Sequence, residues 1–251
     1  MALEIINFGL IGNIDNLEEK LEGKLPINQL ELIYLVNSWG RNATVSIYDS
    51  NDNKIKIDES KPKECYDLSK LDTNQITNMQ DLFKYSNFNG DISSWDVSNV
   101  TDMNSMFYCT NLFNSNIANW NISKVTNMES MFYSSLIFNQ NLNNWDVSSV
   151  TNMSKMFSFA YDFNSLIDSW NLNKVVYCNF MFDFAQAFKN KYNNSKSLPY
   201  NTEEFKEWFN LNKNRMKDID LKEKHGEEID NFFSKFTNIN IEANSIQKKE
   251  I

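Results

Sequence analysis

The sequence predicts an α/β repeat solenoid with a 25-residue period, closed by a small α+β cap at the N-terminus and a helical cap at the C-terminus. Three observations predict it. Trp95, Trp120, Trp145 and Trp170 stand 25 residues apart. Val100, Val125, Val150 and Val175 keep that spacing, as do Met103, Met128, Met153 and Cys178, and the pairs Met106-Phe107, Met131-Phe132, Met156-Phe157 and Met181-Phe182. Phe113-Asn114 returns as Phe138-Asn139 and Phe163-Asn164. A fixed period of this length marks a stack in which each unit buries its apolar face only against its neighbours. The array is assigned to residues 66–189, the flanks to 1–65 and 190–251.

Taken in order, the N-terminal flank opens on a candidate strand, Leu3–Phe8. Asp15 and Glu18 have capping-box spacing ahead of a helix over Asn16–Glu22, which Gly23 ends. Leu30–Val36 is apolar enough for a strand or a helix, and its periodicity does not choose. Thr44–Asp49 and Lys54–Asp58 flank Ser50-Asn51-Asp52-Asn53, a hairpin signal. Lys61-Pro62-Lys63 marks the join to the array.

Each unit of the array is expected to run strand, cap, short helix, aromatic plug. Ile92-x-x-Trp95-x-Val97 has leucine-rich-repeat spacing. It places a short strand on Asp96 with Trp95 and Val97 inward, because strand faces alternate. Ser98 or Thr101 is a candidate N-cap, and Thr126 with Glu129 a capping box. Val100, Met103, Met106 and Phe107 then fall at helical spacing, which implies a helix of about ten residues. Phe88, Phe113, Phe138, Phe163 and Phe188 close successive layers. Methionine beside phenylalanine reads as packing, since Met fills irregular gaps and large rings bury much area in a short unit. Leu68, Leu71, Ile76, Met79, Leu82 and Phe83 occupy the same columns, with one residue missing between Phe83 and Phe88. The last unit decays: Val175-Val176-Tyr177-Cys178 replaces Val-Thr-Asn-Met, and Lys189 replaces the Asn after the plug.

The run Trp-Asp-Val-Ser-x-Val-Thr-x-Met-x-x-Met-Phe, at 95–107 and 145–157, resembles the repeat of the BspA-like leucine-rich surface proteins, the DUF285 repeat. The resemblance spans roughly residues 66–189. It implies a leucine-rich solenoid, protein binding and, in many members, surface adhesion.

In the C-terminal flank, residues 190–200 read as a polar linker ending at Pro199. Asn201 or Thr202 caps a helix carrying Phe205, Trp208 and Phe209. A second helix, about Glu227 to Phe236, carries Ile229, Phe232, Phe233 and Phe236 on one stripe. The last ten residues or so are expected to be disordered.

Net charge is −9, with 33 acidic and 24 basic side chains. That disfavours a protein held on nucleic acid through phosphate contacts, and it equally disfavours anionic membrane surfaces. No apolar run approaches the roughly 18 residues of a membrane span. The start carries no basic signal region, so a cytoplasmic location is expected, or a surface one if a leader has been removed. Cys65, Cys109 and Cys178 share no short spacing and read as reduced thiols. His225, the single histidine, sits in the charged stretch 222–226. With one histidine and no Cys/His cluster, neither a catalytic triad nor a zinc site is drawn. No catalytic, metal or cofactor residue is assigned.

What remains is surface. Ser94, Asn119, Asn144 and Ser169 form one outward column, and Asp96, Asn121, Asp146 and Asn171 another. Tyr108, Tyr133 and Tyr161, with Phe159, offer aromatic anchors near the ends of the expected helices. These are the candidate partner-binding residues. The expected function is a non-enzymatic protein-interaction module that works as a monomer, its partner another protein, basic or nucleic-acid-binding in character. Three rivals stand beside it: an acidic cytosolic inhibitor of a nucleic-acid-processing or defence enzyme, of phage or mobile-element type, a bacterial surface adhesin, and an enzyme whose site the sequence does not reveal.

Overall fold

The structure is a computed structural model that describes residues 16–37, 47–48, 54–55 and 67–247. The candidate strand at 3–8, Asp15, the turn 49–53, the join at 61–63 and Cys65 lie outside the described residues.

Helix α1, Leu17–Leu21, ends in a Schellman turn: Lys24 N–H donates to Glu19 O at 2.9 Å and Gly23 N–H to Lys20 O at 3.0 Å. Gly23 takes φ 72°, and a Cβ there would stand 2.2 Å from the Lys70 carbonyl oxygen. Gly23→Ala combines a left-handed backbone with that clash, so a loss of about 1–3 kcal/mol is expected in chemical denaturation. Helix α2, Gln29–Asn37, resolves the 30–36 ambiguity. Asn28 and Glu31 form a reciprocal capping box, Glu31 N–H to Asn28 Oδ1 and Asn28 N–H to Glu31 Oε2, both 3.0 Å. Ile27, Leu32, Ile33, Leu35 and Val36 join the array's core, and Ile27 N–H donates to Asp72 O at 2.9 Å. Strands β1, Ile47–Tyr48, and β2, Lys54–Ile55, pair antiparallel with Ile47 opposite Ile55.

Within the array the units stack in register. Trp95, Trp120, Trp145 and Trp170 are buried, and their indole N–H groups reach carbonyls 27 or 28 residues back: Leu68, Ile92, Ile117 and Leu142, at 2.8–3.1 Å. A buried indole must find an acceptor, and the preceding turn supplies one in every unit. The phenylalanines form two parallel piles. Phe107 stacks on its plug Phe113 at 3.8 Å within the unit and on Phe132 of the next unit at 5.6 Å. Phe113–Phe138 and Phe138–Phe163 continue the plug column at 5.7 and 6.2 Å.

The local conformation differs from the expected strand and helix. Among the described residues no α-helix lies between 67 and 185, and no strand is centred on Asp96. Single parallel bridges instead join Asn78, Asp102, Asn127, Asn152 and Tyr177. The segment after each bridge is a ribbon of turns. In the second unit Met106, Tyr108 and Thr110 N–H groups close turns on Met103, Ser105 and Phe107 carbonyls, while Met103, Ser105, Phe107 and Cys109 N–H groups donate sideways to Asn127, Glu129, Met131 and Tyr133. Alternate amides thus serve the unit and its neighbour. The geometry needs a left-handed residue twice per unit: Asp81 and Tyr85, Ser105 and Cys109, Ser130 and Ser134, Lys155 and Phe159, Phe180 and Phe184.

The reason is competition for the amides. A ten-residue helix is marginal by itself, and Asn, Asp and Ser offer the backbone local alternatives. The ribbon bonds every second amide to a neighbouring layer, which an isolated helix cannot do. The Thr126/Glu129 box is accordingly not formed. Asn127 Oδ1 accepts from Glu129 N–H at 3.1 Å, and the Glu129 carboxylate accepts from Asn152 Nδ2 at 3.0 Å.

The C-terminal end is covered by helices α3, Gln186–Asn193, and α4, Thr202–Gln247. Residues 190–200 were expected as linker; α3 takes the first four, and Asn194 and Ser195 then turn through positive φ. Asn201 Oδ1 caps α4 by accepting from Glu204 N–H at 2.9 Å. The two expected helices are one, running through Gly226, because a glycine inside a helix lowers its stability by only about 1 kcal/mol. Helix α4 also runs further than expected, to Gln247, leaving only 248–251 of the expected disordered tail outside the described residues. Phe205, Phe209 and Met216 seat α4 in the core, and Lys191 on α3 pairs with Asp220 and Glu223 at 3.1 and 2.8 Å.

Candidate functional site

The polar columns are exposed, and much of their hydrogen-bonding capacity is spent inside the array. Asp96, Asn121, Asp146 and Asn171 each accept the N–H of the residue two positions on, Ser98, Ser123, Ser148 and Asn173, at 2.9–3.3 Å. These are Asx turns. The Ser98 and Ser148 hydrogen bonds, through side chain and backbone, hold the Asp96 and Asp146 carboxyls below the usual carboxylate range. Ser94 Oγ donates to the Ser69 carbonyl and Ser169 Oγ to the Asn143 carbonyl. Asn119 and Asn144 lie beside them, exposed on the same edge. The expected outward sheet face is therefore a run of consecutive turns that bind themselves.

A second ladder was visible in the sequence only as a recurring Phe-Asn. Asn89, Asn114 and Asn139 each accept, through Oδ1, the backbone N–H of the Asn one unit later, all at 2.9 Å. Lys189 ends that column.

The aromatic anchors come together instead. Tyr85, Tyr108, Tyr133, Phe159 and Phe184 form one continuous ridge across five units, with centroid separations of 5.3, 4.5, 5.4 and 4.6 Å. Tyr108 and Tyr133 are parallel within 6°. Tyr161, 45% exposed, packs edge-on against Phe159 at 6.4 Å. Leu112 and Ile137 are exposed nearby in sequence.

Sequence reasoning found Tyr108, Tyr133, Phe159 and Tyr161 but missed Tyr85 and Phe184, because the ridge changes column. In the first, fourth and fifth units the ring sits on the second left-handed residue. In the second and third units Cys109 and Ser134 hold that position, and the ring stands one residue earlier. Only the left-handed backbone brings the two columns into line.

Each end of the ridge carries a lysine. Lys84 lies 5.1 Å from the Tyr108 ring centroid and is held by Asp81 at 2.8 Å, and Lys189 lies 5.5 Å from Phe184. Such contacts favour the cation over the ring face. Burial, with Cys109 and Tyr85 adjacent, pushes the Tyr108 phenol above its ordinary range, so that ring is uncharged at neutral pH.

For chemistry the described residues offer little. Burial pushes the Cys109 and Cys178 thiols up, which lowers their thiolate fraction and nucleophilicity. His225 is exposed on α4. Among the described residues no group of three or more His, Cys, Asp or Glu is placed to hold a metal ion, and no helix is long and apolar enough to cross a membrane.

A family model described as Mycoplasma protein of unknown function, DUF285, matches the chain twice, over residues 56–147 and 117–223. No curated protein and no solved structure is significantly similar to the chain.

Proposed function

The chain belongs to the DUF285 family, and from that premise we propose that it is a non-enzymatic protein-binding module, a leucine-rich-repeat-like solenoid that docks a partner through its aromatic ridge. The observation that carries this reading is the unbroken contact of Tyr85, Tyr108, Tyr133, Phe159 and Phe184 along the array. Tyrosine is among the residues that dominate interface energetics, and its ring brings large contact area at small entropic cost. The polar edge is the poorer candidate because its carboxylates and amides already accept from neighbouring backbone.

Net charge −9 favours a basic partner, and this keeps the inhibitor reading alongside: an acidic module that covers the basic channel of a nucleic-acid enzyme. The adhesin role implied by the family resemblance differs in the compartment of the partner.

The test is capture of partners from host lysate, read by mass spectrometry at low and high salt, with wild-type protein and two variants. Tyr133→Ser/Tyr161→Ser is expected to reduce recovery of the specific partner by at least about tenfold, whereas Asp96→Ala/Asn121→Ala retains it. The reverse pattern, with both variants folded by circular dichroism, would overturn the ridge reading. A salt-sensitive nucleic-acid enzyme in the eluate would select the inhibitor; an envelope or host-surface protein would select the adhesin.

A further inference from the structure

Helix α4 carries two apolar stripes, and the array accounts for one of them. Phe205, Phe209 and Met216 lie in the core, with Ile219 packed against it. Residues 220–228 then hold a single large apolar side chain, Leu221. Every residue from 221 to 228 is exposed, so no face of the helix is buried over these two turns. The helix nevertheless continues to Gln247, about 28 Å beyond Glu228. Along that stretch a second stripe appears: Ile229, Phe232, Phe236, Ile239, Ala243 and Ile246 alternate spacings of three and four residues. That is the seam of a coiled coil, with 229, 236 and 243 at a positions and 232, 239 and 246 at d positions.

A helix with such a stripe draws most of its stability from the surface it packs against. The pattern itself points to a second copy of the same helix, running antiparallel. With the two copies centred on residues 236–239, each a position faces a d position of the other. Ile229 then stands opposite Ile246, Phe236 opposite Ile239, and the large Phe232 opposite the small Ala243. Large against small is how facing layers interdigitate. The flanking g positions are Lys235 and Glu242, which meet twice in this arrangement with opposite charge. A parallel pair would instead set Lys235 against Asn240 and Glu242 against Gln247, with no such match. Four phenylalanines from two copies, at about 150 Å² each, supply half of the roughly 1,200 Å² that a stable interface needs, and six isoleucines add to it. Residues 190–251 carry 11 acidic and 11 basic side chains, so the charge of −9 lies outside this end of the chain and does not oppose pairing there.

We propose that the C-terminal half of α4 joins two copies of the chain as an antiparallel coiled coil over residues 229–246, with Lys235 paired to Glu242 of the partner subunit. The protein is then a dimer rather than the expected monomer, and each particle carries two arrays. The proposal goes beyond the ridge reading and uses none of the ridge residues.

Sedimentation velocity on the full chain tests it. At about 100 µM the wild-type protein is expected at twice its 29.4 kDa chain mass. Phe232→Ser/Phe236→Ser is expected at the single chain mass, while Leu211→Ser, at a 75% exposed position in the half of α4 that packs on the array, stays dimeric. Lys235→Glu and Glu242→Lys each bring like charges together twice, and each is expected to self-associate at least about tenfold more weakly than wild type. Mixed one to one, the two charge variants are expected to recover the wild-type association, because opposite charges then meet at both g contacts. Mixing does not repair a misfolded chain, so recovery identifies a contact between copies. Wild-type protein at the single chain mass would overturn the proposal, as would a dimer that survives the phenylalanine changes. Charge variants that dimerise as wild type does, or a mixture that does not recover, would overturn it too.

Discussion

Deleting Asn104 is expected to remove roughly 4 kcal/mol or more of stability, while deleting Leu112, only eight residues on, is expected to cost less than about 1.5 kcal/mol. The difference follows from the period of two in the turn ribbon. Met103, Ser105, Phe107 and Cys109 send their amides to the third unit, and Asn104, Met106 and Tyr108 present their carbonyls to the first. Removing Asn104 exchanges the two sets for every residue up to Cys109, as a one-residue slip does in a strand. It also withdraws Met106 and Phe107, both fully buried, from their columns. Leu112 lies past the ribbon and is 51% exposed. The chain already contains the shorter version: the first unit has one residue fewer between Phe83 and Phe88, and Tyr85 N–H still reaches Tyr108 O at 2.8 Å. Urea unfolding followed by circular dichroism checks both variants. Similar losses from the two deletions would contradict the alternate-amide architecture.

Trp120→Ala is expected to cost about 3–5 kcal/mol, the range for truncating a buried aromatic. Trp120 is 4% exposed, stacks on Phe107 at 6.5 Å, and donates its indole N–H to Ile92 O at 3.1 Å. Trp120→Phe separates the two contributions. It keeps most of the apolar contact and removes one of two donors to the Ile92 carbonyl, which still accepts from Trp95 N–H at 3.2 Å, so about 0.5–1.5 kcal/mol is expected. Because each unit of a stack leans only on its neighbours, the alanine variant is also expected to broaden the unfolding transition as the two halves uncouple. A near-neutral Trp120→Ala would mean that the tryptophan column is not structural.

Much of this architecture is legible along the chain. The columns headed by Trp95, Val100, Met103, Met106, Phe107 and Phe113 are buried as their spacing demands. The decay at Val175–Cys178 and Lys189 marks the place where the cap takes over. Asn201 was recognisable as a cap, and Asn28 with Glu31 was a readable capping box that would have decided the helix at 29–37. The conformation between the columns was not legible. Positions 100, 103, 106 and 107 suit a helix and suit the turn ribbon equally, since both return a side chain to the core after three or four residues. Nothing in Ser105, Cys109, Lys155 or Phe159 advertises a left-handed backbone, which is usually the province of glycine.

The candidate sites divide in the same way. The polar columns at Ser94 and Asp96 were visible as exposed, but not as Asx turns already committed to neighbouring amides. Tyr108, Tyr133 and Phe159, with Tyr161 beside them, were visible; their union with Tyr85 and Phe184 was not, because it depends on which residue of each unit takes positive φ. Among the described residues the Phe182 and Phe184 amides make no hydrogen bond, and nothing in side-chain identity signals it.

By itself the sequence determined the 25-residue spacing of the columns and which of their residues are buried, because burial depends on side-chain chemistry repeated at a fixed interval. Only the tertiary structure decided the backbone within each unit and the aromatic ridge. Those follow from hydrogen bonds between amides and carbonyls about one unit apart, groups that nearly every residue carries and that side-chain identity does not distinguish.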